Sequence, residues 1–152
     1  MTQINFSRAG AILLLALGAL WGCSATPVAK GVVDGGLADC PSTPNCISSN
    51  ANDEDHRYPP LPYSGTPEQA ISKLIQVIRD YPRTDIVKQD GPYLYATFTT
   101  AIMRFTDDVE FYIEGDRIQV RSASRVGYSD LGKNRSRMND LRESFEPCCT
   151  TP

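Results

Sequence analysis

The chain has 152 residues and a formal net charge of −3. This length suits one domain with a single modest core, and a mildly acidic chain is a poor partner for nucleic acid. The charge is nevertheless uneven, because the segment from Arg117 to Arg142 holds seven basic residues and two acidic ones. We therefore predict one acidic domain that carries a basic region and binds no nucleic acid.

The N-terminus has the layout of an export signal. One basic residue, Arg8, precedes a 14-residue apolar stretch from Ala9 to Gly22, as in secretory signal peptides. A transmembrane helix needs roughly 20 apolar residues. The stretch is therefore short for a membrane span, although Ala25 to Ala29 could extend it into an uncleaved anchor.

The end of this stretch, Leu20-Trp21-Gly22-Cys23, resembles the lipobox of bacterial lipoproteins, although Trp21 stands where a small residue is usual. The resemblance implies a lipoprotein signal peptide over residues 1–22 and lipidation of Cys23. The alternative is an ordinary signal peptide with an incidental cysteine. Ser24 follows Cys23, and by resemblance to enteric lipoproteins this favours the outer membrane. We therefore expect a lipid-anchored protein of the bacterial cell envelope that faces the periplasm.

Four cysteines follow Cys23 in the sequence: Cys40, Cys46, Cys148 and Cys149. In an oxidising compartment such cysteines form disulfides by default. A bridge between the adjacent Cys148 and Cys149 is geometrically strained, while cross-pairing of the two ends is possible. We predict a Cys40–Cys46 disulfide and leave the pairing of Cys148 and Cys149 open. His56 could join Cys40 and Cys46 around a metal ion, but the spacing matches no familiar zinc pattern, so we predict no metal.

The mature chain divides into three parts. Residues 23–39 are small, weakly polar and aperiodic, with Gly31, Gly35 and Gly36, and predict a flexible tether. A single folded domain is expected over residues 40–147, followed by a tail over residues 148–152. Near the start of the domain, the prolines between Tyr58 and Tyr63 exclude helix and favour an extended segment on the surface.

A helix is predicted before the main strands. Thr66 is a suitable N-cap, Pro67 suits the first helical position, and Gln69 can complete a capping box. Apolar residues then recur at three- and four-residue steps, which predicts one buried face. The helix should run to about Asp80, because Pro82 follows closely.

From residue 84 the apolar period changes to two, which indicates strands. Four strands are predicted, over Thr84–Lys88, Tyr93–Thr99, Asp108–Glu114 and the residues around Ile118 and Val120. Their alternation favours an antiparallel meander with one solvated face, and a second helix is expected after Asn134. The predicted fold class is α+β: a four-stranded, mostly antiparallel sheet with one helix before it and one after it.

Three sequence blocks carry a family resemblance. They are Cys40-Pro41-Ser42-Thr43-Pro44-Asn45-Cys46, Arg104-Phe105-Thr106-Asp107-Asp108-Val109-Glu110-Phe111 and Arg121-Ser122-Ala123-Ser124-Arg125-Val126-Gly127-Tyr128-Ser129-Asp130-Leu131-Gly132. With these blocks in this order, the chain resembles the bacterial and chloroplast family called domain of unknown function 1499, from about Cys40 to Phe145. The family has no assigned activity, so the resemblance implies no catalytic role for any residue.

The segment after the last predicted strand is rich in hydrogen-bond donors and suggests a binding site. Arginine and serine side chains at the end of a sheet, with backbone amides of a helix start, suit a phosphate or a carboxylate. The candidate ligand-binding residues are Arg121, Ser122, Ser124, Arg125, Tyr128, Asn134 and Arg135.

The alternative for this region is structural. Opposite charges on neighbouring strands would form a polar network that fixes a long loop. The candidate members, besides Arg121 and Arg125, are Arg104, Asp107, Asp108 and Glu110. In either case we expect Arg121, Arg125 and Asp108 in one network at one end of the sheet.

Catalytic residues are harder to identify. His56, the single histidine, lies in a polar loop and is expected to be exposed. Asp107 and Asp108 are adjacent on a strand, so their side chains should point to opposite faces, which disfavours a paired-carboxylate site. We therefore expect a non-catalytic module that binds a small anionic ligand or a partner protein and needs no cofactor. The alternative is a periplasmic, hydrolase-like enzyme that uses the region of Asp107, Asp108 and Tyr128.

Overall fold

The computed structural model describes residues 25–149, with side chains to residue 146. The predicted signal peptide over residues 1–22, the lipidation of Cys23 and the pairing of Cys148 and Cys149 lie outside these residues and side chains. The element order, with short strands, a helix, four longer strands and a second helix, confirms the α+β class. Neither helix in the described part of the chain is long and apolar enough to cross a membrane.

The described chain opens with a small hairpin. Strands β1 (Val32–Val33) and β2 (Gly36–Leu37) pair antiparallel. The turn between them has Asp34 at φ 52° and Gly35 at φ 83°. Positive φ at both central residues of a two-residue turn matches the twist of a hairpin, and Asp and Gly adopt it at low cost. Local order therefore exists within the segment predicted as a flexible tether.

The sheet has six strands, so the prediction of four was wrong. In chain order they are β3 (Cys46–Ser48), β4 (Leu61–Pro62), β5 (Thr84–Asp90), β6 (Tyr93–Thr99), β7 (Thr106–Glu114) and β8 (Arg117–Ser124). The last four form the predicted antiparallel meander, and β3 and β4 both pair antiparallel with β8. Strands of two or three residues are too short to show alternation, and a proline such as Pro62 argues against a strand except at an edge or a strand end.

Helix α1 (Pro67–Asp80) lies between β4 and β5 and has the predicted cap. The Gln69 N–H donates to the Thr66 hydroxyl at 3.3 Å, and the Thr66 N–H donates to the Gln69 side chain at 2.9 Å. These reciprocal bonds satisfy backbone amides that the first helical turn leaves unpaired. The predicted helix start and end are both confirmed.

The second helix, α2 (Lys133–Cys149), was predicted after Asn134 and begins slightly earlier, at Lys133; it runs two residues into the predicted tail. Helices α1 and α2 cover one face of the sheet, which we call the helix face. Its core is apolar and includes Leu74, Ile78, Leu94, Phe98, Val109, Phe111, Val120, Met138, Leu141 and Phe145.

The opposite face of the sheet is also covered, so the prediction of a solvated face was wrong. Residues 25–39, which we call the N-terminal strap, lie across this strap face instead of forming a flexible tether. Leu37 of the strap is 4% exposed and packs with Tyr93 and Tyr95 of β6. Asp108 and Glu110 of β7 point to the same face and are 0% exposed. Asp108 and Glu110 occupy strand positions that the alternating pattern assigns to solvent. They lie instead in a second buried layer.

Candidate functional site

The centre of the strap face is a buried ion pair between neighbouring strands. Glu110 of β7 and Arg121 of β8 are directly opposite in the register, and Arg121 Nη1 donates to Glu110 Oε2 at 2.9 Å. The Arg121 and Glu110 side chains are 2% and 0% exposed. Tyr93 donates its hydroxyl hydrogen to Glu110 Oε1 at 2.9 Å. The structural alternative for this region was cross-strand pairing of its carboxylates with Arg121 and Arg125, and Glu110 with Arg121 is one such pair.

A second buried pair lies nearer the end of the sheet. Arg125 follows β8 and returns to β7, where its guanidinium donates to both carboxylate oxygens of Asp108 at 2.8 to 3.1 Å. The Tyr95 hydroxyl donates to Asp108 Oδ1 at 2.7 Å and accepts from Arg125 Nη2 at 3.1 Å. Such a two-pronged arginine–carboxylate contact is both strong and directional.

These four charged side chains bind the backbone of the N-terminal strap. Asp108 accepts the N–H of Val28 at 2.6 Å, and Glu110 accepts the N–H groups of Lys30 and Gly31 at 3.1 and 2.7 Å. In return, Arg121 donates to the Val28 carbonyl and Arg125 to the Ala25 carbonyl, each at 3.2 Å. The predicted single network of Arg121, Arg125 and Asp108 is therefore present, and Val28 connects its two halves.

The network also fixes the protonation states of its tyrosines. Burial raises the pKa of Tyr95 to about 12, and the hydrogen bond to Asp108 and the negative charge of that carboxylate add to the rise. Burial and the nearby Glu110 raise the pKa of Tyr93 still further. The hydrogen bonds to Asp108 raise the pKa of Arg125. Both tyrosines therefore stay neutral donors to carboxylates over the physiological range of pH.

A separate polar network lies on the helix face of the same end of the sheet. Asp107 of β7 pairs with Arg137 of α2, and Arg137 also donates to the side-chain oxygen of Asn134 at 2.8 Å. Asn134 accepts from Ser122 at 2.6 Å and donates to Ser124 at 3.1 Å. This network anchors the start of α2 to the sheet, and its members are buried.

The predicted ligand cradle is therefore divided by the sheet. Arg121 and Arg125 belong to the strap face, whereas Ser122, Ser124 and Asn134 belong to the helix face. The backbone amide at the start of α2 is already occupied, because Asp130 accepts the N–H of Asn134 at 2.6 Å and so caps the helix.

The remaining candidates lie outside both networks. Arg135 donates to the carbonyls of Arg57 and Asp55 at 2.9 and 3.0 Å and so holds the loop before β4. Tyr128 is 73% exposed, and Arg104 is exposed on the loop between β6 and β7 with φ 56°. The candidate ligand-binding residues therefore do not form one site, but lie at several separate positions in the fold.

The residues named for an enzymatic alternative do not converge. Asp107 pairs with Arg137 under α2, and Asp108 pairs with Arg125 under the strap. The two carboxylates point to opposite faces as predicted, and Tyr128 projects into solvent. General acid–base chemistry needs donor and acceptor groups that face one substrate, and these three side chains cannot reach a common one.

His56 is half-buried, so the prediction of an exposed histidine was wrong. Its Nδ1 lies 2.6 Å from Asp53 Oδ1 and its Nε2 lies 3.2 Å from the Thr43 carbonyl. The His56 backbone N–H also donates to Asp53 and is the main cause that lowers the pKa of that carboxyl. The ring therefore ties its loop to the segment around Thr43.

The Cys40–Cys46 disulfide is present, with its Cα atoms 5.7 Å apart, as predicted. It connects the end of the N-terminal strap to β3. Among the described side chains, no group of three or more histidine, cysteine, aspartate or glutamate residues is arranged to hold a metal ion.

One cleft opens beside the buried ion pairs. It has a volume of about 790 Å³ and lies between the strap and the start of the disulfide loop, with Lys30, Asp39, Asn50 and Arg121 among its lining residues. Arg121 Nε is the one buried side-chain nitrogen or oxygen in the described residues without a hydrogen-bond partner. A buried donor left unpaired is unfavourable by about 1–3 kcal/mol, so a ligand acceptor that reached it would have a clear energetic benefit.

Sequence reasoning missed several residues that complete these sites. Arg137 and Asn45 read as ordinary polar residues, yet Arg137 neutralises Asp107, and Asn45 donates to the Gly127 carbonyl at 2.7 Å. Lys30 and Val28 were assigned to the tether, and no side-chain pattern could have shown that their backbone amides bind carboxylates. For Arg137, a signal did exist, because it lies one helical turn from Asn134 on the face of α2 that carries Met138 and Leu141.

Comparison with known families supports the resemblance read from the sequence blocks. The model of the family described as Protein of unknown function (DUF1499) matches residues 36–145. No curated protein and no solved structure matches the chain. The matched residues include β2, the whole sheet, α1 and most of α2. The chain belongs to the DUF1499 family.

Proposed function

We propose that this chain is a non-catalytic module of the bacterial cell envelope, anchored by lipidated Cys23 in the outer membrane and facing the periplasm. The lipobox-like tetrapeptide and the disulfide between Cys40 and Cys46 support export, because disulfides persist in oxidising compartments. The divided carboxylates Asp107 and Asp108 favour binding over catalysis, since both are already neutralised by arginines.

The ligand in this proposal is a small molecule that carries an anionic oxygen and binds in the cleft beside the strap. The observation that carries the proposal is that Arg121, whose buried Nε has no hydrogen-bond partner, is one of the residues that line this cleft. Lys30 lines the same cleft and would supply a second donor through its exposed ammonium group. A carboxylate or phosphate oxygen would accept from both, and charge-assisted hydrogen bonds of this kind are the stronger class.

The anion would not replace the internal carboxylates. Glu110 accepts from Arg121, from Tyr93 and from two backbone amides, and removing one partner of such a buried pair costs roughly 3–5 kcal/mol. The available positions are therefore those that the internal network leaves open, namely Arg121 Nε and the Lys30 ammonium.

The lipid anchor is tested by the mass of the protein purified from its own membranes. We expect a chain that begins at Cys23 and carries acyl chains, because each buried methylene contributes roughly 0.8 kcal/mol of membrane affinity. Cys23→Ser should abolish the acyl mass and the cleavage. Recovery of the wild-type protein as a soluble periplasmic species without acyl mass would contradict the anchor.

The ligand is tested by native mass spectrometry of the same preparation. We expect a retained small molecule that is lost in Lys30→Ala and kept in Lys73→Ala, because Lys73 lies on α1 at the other face of the sheet. Lys30 is exposed and contributes only its backbone to the network, so its truncation should leave the fold intact. Equal retention of the molecule in both variants, or a wild-type spectrum without any bound mass, would overturn the proposed site.

A further inference from the structure

Six apolar side chains are exposed together at one end of the sheet, and we call this surface the apolar end. They come from the loop between β6 and β7 and from the loop between β8 and α2: Ile102, Met103, Phe105, Val126, Tyr128 and Leu131. Ile102 is 89% exposed and Leu131 is 90% exposed. Such concentrations of apolar surface on a soluble domain usually mark an interaction site.

The two loops form one surface because they are joined to each other. The Arg125 N–H donates to the Thr106 carbonyl at 3.2 Å, which holds the start of the second loop against the end of the first. Phe105 and Val126 also line a common cavity of about 250 Å³. The two loops that carry the six side chains therefore meet at this end of the sheet, so the exposed apolar residues are not scattered over the surface.

Basic residues accompany this apolar surface. Arg104 lies between Met103 and Phe105, and Lys133 begins α2 just after Leu131; both are exposed. A lysine or arginine near an anionic lipid surface strengthens binding, because the negative surface potential attracts its charge. Tyr128, at 73% exposure, is of the residue type that is enriched at the level of lipid headgroups, because its ring is apolar and its hydroxyl is polar.

The chain enters the fold at the same end. The Ala25 carbonyl accepts from Arg125 Nη1 at 3.2 Å, and the strap then runs away along the sheet to Asp108 and Glu110. Cys23 precedes Ala25 by two residues, and two extended residues span at most about 7 Å. An anchor on Cys23 would therefore hold the apolar end close to the bilayer.

We propose that the apolar end docks on the surface of a lipid bilayer with anionic headgroups and thereby fixes the orientation of the domain on its membrane. This inference rests on the anchor in the proposed function, which brings the surface to the membrane. The side chains of Ile102 and Leu131 enter the boundary between headgroups and acyl chains. The fixed entry point at Arg125 excludes the free rotation that a flexible tether would allow.

A tryptophan reporter tests the orientation in the full chain. The sequence has one tryptophan, Trp21, within the predicted signal peptide, so the parent chain supplies the baseline. Leu131→Trp places a reporter at the apolar end, and Asp116→Trp places a matched one in the turn between β7 and β8. The nine residues of β7 separate these ends by roughly 27–30 Å. The proteins are reconstituted in vesicles of phosphatidylethanolamine and phosphatidylglycerol with brominated acyl chains.

In the vesicles, we expect the Leu131→Trp reporter to lose most of its fluorescence and its emission to shift to shorter wavelength. The fluorescence of the Asp116→Trp reporter in the vesicles should equal its fluorescence in detergent-free buffer. Equal quenching of both reporters, or quenching of neither, would overturn the inference. If the emission of the Leu131→Trp reporter shifts to shorter wavelength with an envelope protein extract but not with vesicles, the apolar end binds a protein partner and the inference is wrong.

The failure of the anchor and the failure of the docking surface are distinguishable in this experiment. The acyl mass of each sample shows whether Cys23 is lipidated. If acyl chains are absent, the proposed anchor has failed, and the quenching of the Leu131→Trp reporter on added vesicles still decides whether the apolar end binds lipid. If acyl chains are present and the reporter is unquenched, the anchor stands and the inference is wrong.

Discussion

The two faces of the sheet are both buried, yet they are stabilised by different interactions. On the helix face, side chains such as Phe111 and Phe145 form an apolar core between α1, α2 and the strands. On the strap face, charged side chains of β7 and β8 bind the backbone of an extended segment. Apolar packing depends on shape and volume, whereas the strap depends on hydrogen bonds and on complete charge pairing.

This difference explains why one face was recognisable and the other was not. An amphipathic helix and its strand partners need apolar residues at regular spacing. A segment bound through its backbone needs almost no particular side chains, so the strap could have the composition of a linker. The charged residues beneath it, Asp108 and Glu110, occupy positions that alternation assigns to solvent.

The largest effect is expected on the helix face. Phe111→Ala should lower the free energy of unfolding by about 3–5 kcal/mol, because it removes a fully buried ring and leaves a cavity. Urea unfolding monitored by circular dichroism measures this change. If Phe111→Ala lowers the free energy of unfolding no more than a substitution of an exposed residue does, the core is not centred on β7.

The next largest effect is expected on the strap face. Arg125→Ala should lower the free energy of unfolding by about 3 kcal/mol, because it leaves the buried Asp108 without its counter-charge. The matched control is Arg117→Ala at the start of β8, the strand that Arg125 follows. The Arg117 side chain is 61% exposed, and its loss should change stability by no more than about 0.5 kcal/mol. If the two variants unfold alike, the strap face is only a solvated surface.

Some parts of both faces were predictable from the sequence for physical reasons. Thr66, Pro67 and Gln69 signal the start of α1 because capping is local chemistry. Pairing of the carboxylates of β7 with Arg121 and Arg125 was considered as the structural alternative because opposite charges on adjacent strands attract. The strands β3 and β4 were not predictable, since their pairing with β8 depends on long-range contacts and not on a pattern of their own.

The position of the candidate site was only partly predictable. Arg121 was named from its place near the end of β8, but the value of that arginine to a ligand lies in one unpaired nitrogen. Which nitrogen stays unpaired depends on how the strap and β7 surround the guanidinium group, since Glu110 and the Val28 carbonyl both accept from Nη1. Composition and periodicity contain no such information, so the cleft and Lys30 were missed.

A smaller effect is expected from the disulfide that joins the strap to the sheet. Replacing Cys40 and Cys46 together by serine should lower the free energy of unfolding by about 2 kcal/mol, because the closed loop is short. Thermal unfolding of the wild type and the double variant measures the loss. The strap should loosen more than the helix face in the variant, and equal loosening of both faces would contradict its local role.

The smallest effect concerns one hydroxyl group and its pH dependence. Tyr95→Phe should cost about 1 kcal/mol at neutral pH, because Asp108 loses one of several donors. The pKa of Tyr95 rises from the ordinary value of 10.0 to about 12 in the fold. The stability from this shift is therefore complete below pH 10 and is lost as the pH rises through about 12.

Unfolding experiments between pH 9 and about 12 check the sign of this dependence, because only a raised folded pKa makes stability fall across that window. The wild type should lose more stability over the window than Tyr95→Phe, which lacks the titrating group. A steeper loss in the variant than in the wild type would contradict the buried, neutral Tyr95.

Native-state hydrogen exchange of the strap amides tests most directly whether carboxylates hold the strap on the sheet. In the wild type, the amides of Val28, Lys30 and Gly31 should be protected, because Asp108 and Glu110 accept them. Glu110→Gln should accelerate exchange at Lys30 and Gly31 far more than at the amides of α1, since it weakens the acceptor of those two groups. Exchange of all three strap amides at the rate of a free chain in the wild type would contradict the account.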